Sequence, residues 1–459
     1  MKKIVEHQNI QNIQPPNYLI NSKISDQLYK YSKYISKLLH PIYPLIADSF
    51  SKCFLNSIFT CTEILPDGTT YVSNGDIDNM WFRDSYGQFE PYIFLAKNDL
   101  FLKKIIEGII KRMQKYILID PYANSFNKYP DGNNYWPTDL PKPGLWIRER
   151  KWSIDTPCSY IMLLKKYYLL TNSKKIFDDQ CYIVLHKIID LFEVEQDHQR
   201  LSDYYFIRND PLHPNDTLVN NGLGNKISST GMIWSAFRPS DDPCKYGFNI
   251  PLNFLAMECI KFISKIFKNI YKNKKYSKKS HRIYEKVKQG INKFGILDHP
   301  KYGTIYKYET DGLKNNLIID DANFPNLISL PLFSKEYNKE IYINTRKFSL
   351  SLDNVYFIQG KYANGLGSMH PYNLDPTKYI WPIGLIIEAL TDNSIKKKLE
   401  IINLCLETSA KTYFIHEAFD SNNPNNYHRG WCPWNNSQYA LLVLQWLTKK
   451  KIIKYQFLK

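Results

Sequence analysis

Six stretches of the chain bring carboxylate, guanidinium or imidazole groups next to aromatic rings, and each stands at or just before a segment of helical periodicity. Two of them have the residue types of acid–base chemistry. In Gly231 to Asp242, the adjacent carboxylates Asp241 and Asp242 follow an aromatic run that contains Trp234 and Phe237. A carboxyl group crowded by apolar neighbours keeps its proton to higher pH and can serve as a general acid. In Phe414 to Asp420, Glu417 lies between His416 and apolar residues, a setting for a general base. The alternatives are structural: a helix cap or a salt bridge to Arg238 in the first stretch, and pairing with His416 or Arg429 in the second. Glu417 does not belong to a zinc-binding HExxH motif, because Asp420 stands where the second histidine is needed.

The other four stretches have the types that grip hydroxyl groups. Arg83 lies two residues from Trp81, a fork of donors beside a ring that can stack on the apolar face of a sugar, and Asp84 follows, either as a further contact or as a helix cap. Trp146 to Asp155 alternates charge with tryptophan and offers Glu149 and Asp155. Asp320 to Asn326 offers Asp321 and Asn323; these suit hydroxyls better than a hard metal, which asks for several oxygen ligands. Gly365 to His370 reads as a tight turn that presents His370 and lacks the third glycine of a phosphate-binding loop. Beyond Glu417, Arg429 and Trp434 repeat the pairing of guanidinium and indole.

Groups so far apart in sequence need a scaffold that gathers loops. The periodicity predicts helices from residue 24 to about 39 and over 85–95, 100–116, 155–170, 176–195, 251–270, 277–294, 326–332, 382–390, 394–408 and 437–449, with Ser277, Ser394 and Ser437 as N-caps. A short strand pair is expected over 57–64 and 69–72, joined by Pro66-Asp67-Gly68. About a dozen helices in up-down order, separated by chemically rich loops, suit an all-α toroid of inner and outer helices with minor β hairpins. The expected organisation is a polar arm over residues 1–23 and a single catalytic domain over 24–459.

Composition narrows the function classes. Hydrophobic residues make up 44% of the chain and charged residues 23%, as in globular domains. The net charge of +16 raises the possibility of a nucleic-acid partner, but no nucleic-acid motif accompanies the lysine runs at 261–288, 396–398 and 449–454, and none is expected. No run of about 18 apolar residues exists, so no membrane span is expected. The eight cysteines form no CxxC pair and read as buried thiols of a reducing compartment, and with no apolar segment at the N-terminus the expected location is cytoplasmic.

The ordered blocks MWFRDS, ERKWSIDTPC, GMIWSAFRPSDD with CKYGFNIPLN, IDDANFPNLISLP, GLGSMH with YIWPIGLI, and HEAFD with RGWCPWNNS resemble glycoside hydrolase family 125, the metal-independent exo-α-1,6-mannosidases. The resemblance runs from about Ser51 to Leu447. It implies an (α/α)6 fold, an inverting mechanism without metal or other cofactor, and an α-mannoside oligosaccharide or N-glycan as substrate. It also implies an acid at Asp241 or Asp242, a base at Glu417, and sugar contacts from Arg83, Asp84, His370 and Arg429. The chain departs from the pattern at Cys432-Pro433, between the last two tryptophans. The rival readings are a helical-toroid hydrolase of another α-glycoside and a non-catalytic sugar-binding protein.

Overall fold

A computed structural model describes residues 26–211, 216–370 and 374–454; the arm expected over 1–23 lies outside them. Among the described residues the helices are α1 (Asp26–Leu39), α2 (Pro44–Thr60), α3 (Phe82–Phe89), α4 (Leu100–Ile119), α5 (Asp155–Thr171), α6 (Asp179–Glu195), α7 (His198–Leu201), α8 (Ile250–Asn269), α9 (Lys274–Phe294), α10 (Leu330–Phe333), α11 (Lys339–Ser349), α12 (Pro382–Thr391), α13 (Ile395–Glu407) and α14 (Pro433–Lys449). Six of them, α3, α5, α8, α10, α12 and α14, pack in that order into a closed ring, with α14 returning to α3. The intervening α2, α4, α6, α9, α11 and α13 pack against this ring or against one another, which makes the fold an (α/α)6 toroid.

Side-chain pattern explains which helices go inside. α12 and α14 are buried on almost every face, as a helix apolar all round must be. α9 buries Ile283, Val287 and Ile291 and turns its lysines outward, the stripe of an outer helix. Closure of the ring depends on Gly87 in α3, where a Cβ would stand 2.3 Å from the Trp434 indole nitrogen at the start of α14.

Several boundaries differ from the sequence reading. Helix α2 was not expected: Pro44 starts it rather than breaking it, and residues 57–60 belong to its last turn, leaving the strand pair as β1 (Thr62–Ile64) and β2 (Thr70–Val72). Pro91 ends the α ladder of α3, so the expected 85–95 helix continues only as 3₁₀ turns at Glu90–Tyr92 and Leu95–Lys97. Ser394 caps α13 as expected. Ser277 and Ser437 cap nothing, because Asn273 caps α9 and Pro433 opens α14 a turn earlier. Helix α11, capped by Asn338, lies outside the predicted set.

Each outer helix reaches the next inner one through a long loop: 61–81, 120–154, 196–249, 295–329, 350–381 and 408–432. Small antiparallel sheets stitch these loops in pairs. β3 (Met80–Trp81) joins β4 (Ser125–Phe126) and β5 (Ile147–Glu149). β6 (Phe248–Asn249) joins β7 (Glu309–Thr310) and, through it, β8 (Asn316–Leu317). β9 (Tyr379–Ile380) joins β10 (Ala418–Asp420) and, through it, β11 (Asn423–His428). Inside the ring an axial cavity of about 230 Å³ runs from Arg83 and Trp434 down to Asp392 and Lys449.

The second stitch is reinforced by an ion pair. Glu309, fully buried, accepts from Arg238 Nε at 2.5 Å and from the backbone amides of Lys245 and Tyr246 at 2.9 and 3.1 Å. Replacing Glu309 by Leu strands the Arg238 charge and both amides in the interior, and the expected loss is about 3–5 kcal/mol. A urea titration of Glu309→Leu checks this by a large fall in midpoint with the slope unchanged.

Candidate active site

All six long loops contribute to one cavity of about 500 Å³ at the N-terminal ends of the inner helices. Its walls include Asn79, Trp81, Arg83 and Asp84 from the first loop and the start of α3; Tyr135, Trp136, Glu149 and Lys151 from the second; and Arg208, Asp216 and Asp241 from the third. Asn323, His370, Trp381, Glu417 and Arg429 come from the remaining three loops, and Trp434 and Asn435 from the start of α14. Inner helices therefore point their positive N-terminal ends toward the cavity, a favourable setting for carboxylates.

Arg83 ties three of these elements together. Its guanidinium donates to Asp155 at 3.1 Å and to Asp241 at 3.4 Å, approaches Asp84 at 3.6 Å, and lies over the rings of Trp434 and Trp81. Asp241 occupies a left-handed backbone conformation, φ +65°, at the turn closed by its amide to the Arg238 carbonyl. An aspartate tolerates that conformation better than most residues, and such strain marks positions where side-chain aim matters. Lys151 Nζ holds the Asp241 carbonyl at 3.0 Å. Burial raises the Asp241 carboxyl to about 7, in spite of the nearby Arg83 charge.

Glu417 has the opposite environment. The β10–β11 hairpin sets it beside the two residues that hold it: Arg429 Nη1 donates to one carboxylate oxygen at 2.5 Å, and His428 Nδ1 lies 2.8 Å from the other. Burial pushes its carboxyl up, but Arg429 and His428 outweigh burial and hold it well below the ordinary glutamate range. Arg429, itself at φ +47°, is anchored from the first loop by Asp76 at 2.8 Å and by the Asn74 carbonyl at 3.0 Å. The cavity thus contains one carboxyl disposed to keep a proton near neutrality and one disposed to lose it.

A buried ion network forms another part of the wall. Arg208 binds Asp139 through two nitrogens, Glu149 at 2.8 Å and Asp216 at 2.6 Å, and Lys151 binds Asp216 at 2.6 Å. Lys151 and Arg208 keep Glu149 and Asp216 ionised against the cost of burial. By contrast, both amide atoms of Asn79 and the indole nitrogens of Trp81 and Trp381 are buried in the wall without a protein hydrogen-bond partner, as befits groups that meet a polar ligand.

Of the residues singled out in the sequence, Trp81, Arg83, Asp84, Glu149, Asp241, Asn323, His370, Glu417, Arg429 and Trp434 line this cavity. Four stand behind it. Asp155 holds Arg83. Arg238 pairs with Glu309. Asp321 accepts from the Asn323 amide and the Tyr308 hydroxyl. Asp242 takes the Ser240 hydroxyl at 2.7 Å. Sequence reasoning missed Asn79, Trp381, Lys151 and Asp76, although all four lie in or beside the stretches it selected. It had no signal for Arg208 and Asp216, which sit in a loop without periodicity.

The match to known proteins is extensive. The model of the metal-independent α-mannosidases of glycoside hydrolase family 125 matches residues 44–444. A curated relative, the meiotically up-regulated gene 157 protein of Schizosaccharomyces pombe, is 31% identical over 399 residues, which cover 83% of this chain and 77% of that protein. Among solved structures, a metal-independent α-mannosidase from Streptococcus pneumoniae, in a non-productive complex with α-1,6-mannobiose, superposes with a TM-score of 0.88 at 35% identity over 92% of this chain and 99% of its own. A bacterial glucoamylase complexed with acarbose, 12% identical over 92% of this chain and 57% of its own, shares the fold at a TM-score of 0.52.

The Arg429 clamp makes a prediction independent of turnover. In Arg429→Met the largest lowering influence is gone and only the imidazoles of His428 and His370 still oppose burial, so Glu417 gains a proton at higher pH than in the parent. A ¹³C-carboxyl NMR titration of Glu-labelled protein should show a glutamate that stays ionised where ordinary glutamates protonate in the parent and titrates at distinctly higher pH in the variant.

Proposed function

The chain belongs to the metal-independent α-mannosidases of glycoside hydrolase family 125, and on that premise we propose that it removes terminal α-1,6-linked mannose from oligosaccharides with inversion of configuration. The observation that carries this reading is the pair of oppositely tuned carboxyls, Asp241 and Glu417, in one cavity. The pneumococcal neighbour's complex with α-1,6-mannobiose supports the linkage. The eight cysteines, all buried and free, favour a reducing compartment such as the cytoplasm.

In this reading Asp241 is the acid. It lines the cavity, whereas Asp242 stands behind it on Ser240, and its carboxyl, raised to about 7, keeps its proton below neutrality. Asp241 gives its proton to the glycosidic oxygen as the bond to the sugar breaks. Glu417, ionised, takes a proton from a water that attacks the anomeric carbon from the other face; an inverting pair stands roughly 6.5–9.5 Å apart to admit that water. Each Glu417 oxygen accepts from one donor and keeps a lone pair for this task. Arg83 and Arg429 position the two carboxyls, and Asn79, Trp81 and Trp381 offer partners for the mannose hydroxyls.

Leaving-group dependence tests the assignment. Asp241→Asn should cut kcat/KM on α-1,6-mannobiose by about 10²–10⁴. On 2,4-dinitrophenyl α-mannoside, whose leaving group needs no proton, the same variant should lose far less. Glu417→Gln should lose both activities. Asp242→Asn, if stable, should affect the two substrates alike; the selective pattern in Asp242→Asn instead would transfer the acid role to that residue.

The pH profile follows from the same two groups. Because Asp241 must be protonated and its carboxyl is raised to about 7, activity should fall as pH rises through about 7. Because Glu417 must be ionised and is lowered, no acidic limb should appear in the range where an ordinary glutamate titrates. Initial rates of mannobiose cleavage from about pH 4, where an ordinary glutamate titrates, to about pH 9 check both limbs.

A further inference from the structure

The charge of this protein is distributed by end. The turns leading out of the inner helices, 95–104, 171–179, 268–278, 333–340, 391–398 and 448–454, hold nineteen lysines and no arginine against six carboxylates. The six loops that build the cavity hold seventeen basic and twenty-three acidic residues. Most of the +16 net charge therefore sits on the face opposite the cavity mouth. That face is identified by the path of the inner helices, which begin at the cavity and run away from it; α14, at 17 residues, carries the chain about 25 Å. The axial cavity traces the same route, from Arg83 to Lys449.

Most lysines of this face are solvated, Lys398 being the buried exception. Lys268, Lys272, Lys274, Lys275 and Lys278 are all exposed at the α8–α9 turn, and Lys449, Lys450, Lys451 and Lys454 at the end of α14. Bulky apolar side chains stand among them. Leu100, the first residue of α4, is 83% exposed, and Ile42, in the α1–α2 turn, is 72% exposed; Leu45, Ile395 and Ile452 are exposed as well. Tyr43 places the α1–α2 turn at this end, since Lys450 Nζ lies over its ring.

We infer that this face adheres to an anionic membrane surface and leaves the cavity open to solvent. Dispersed lysines supply attraction to acidic headgroups, and the protruding leucine and isoleucine side chains reach toward the acyl boundary, the two contributions that hold a protein in the interface. Nucleic acid fits less well: phosphate and base recognition favours arginine forks and stacked rings, and the face offers neither arginine nor an exposed aromatic array among the described residues. Among the described residues no helix is long and apolar enough to cross a membrane.

Co-sedimentation of the full chain with large unilamellar vesicles tests this, using phosphatidylcholine with roughly a third phosphatidylserine against phosphatidylcholine alone. The expected result is binding to the acidic vesicles only, weakened by salt. Combined Lys272→Glu, Lys274→Glu, Lys275→Glu and Lys278→Glu substitutions should reduce partitioning at least about tenfold. Lys450→Glu with Lys451→Glu provides a second variant at a separate site on the face, and Leu100→Ser should weaken binding several-fold. Undiminished cleavage of soluble mannoside by the variants and by vesicle-bound protein would show that the fold is intact and the mouth faces outward. Absence of binding to acidic vesicles at low salt, equal binding to neutral vesicles, unchanged binding of both charge variants, or displacement from acidic vesicles by an equimolar RNA duplex would overturn the inference.

Discussion

The guanidinium of Arg83 is buried among three carboxylates, and the site is organised around that constraint. A charge so placed must be answered from several directions, and the answers come from different parts of the chain: Asp84 beside it, Asp155 at the start of α5, and Asp241 in the third loop. Two indoles close over it. Meeting these demands fixes where α3, α5 and α14 start relative to one another. It also sets Asp241, the only one of the three on a strained left-handed turn, at the cavity wall. Arg429 plays the corresponding part on the Glu417 side, tied to the first loop by Asp76.

Tuning follows from unequal compensation. Glu417 is buried and Asp241 largely so, and burial alone drives any carboxyl toward its neutral form. Glu417 receives a close guanidinium and an imidazole and ends below its ordinary range. Asp241 receives one guanidinium at 3.4 Å, shared with two other carboxylates, and ends above. The difference needs no special residue type. It comes from how many donors each loop brings and how many acceptors compete for them.

Much of this was legible in the sequence, because the site residues are concentrated in short stretches of unusual composition before the inner helices. The toroid itself could be read from a dozen alternating helical segments. What sequence could not show was direction. Asp155, Arg238 and Asp321 have the same types and the same setting as their neighbours in the wall, yet they face backward and hold it up. Adjacent residues on a loop point apart, so Asp241 and Asp242 could be separated only when the turn at Arg238 was seen. Arg208 and Asp216 lay beyond reach for a different cause: their loop of 196–249 is largely irregular, and a buried ion network leaves no period. The helix starts at Pro44 and Pro433 were obscured because proline can open a helix as well as break one.

The central claim is that two oppositely tuned carboxyls on an (α/α)6 ring deliver water to an α-mannoside from the face opposite the leaving group. Proton NMR of purified protein cleaving α-1,6-mannobiose in EDTA observes that event directly. The account predicts that β-mannose appears first and only later equilibrates with the α-anomer, at a rate unaffected by the chelator. First appearance of α-mannose, or loss of cleavage on chelation, would contradict it.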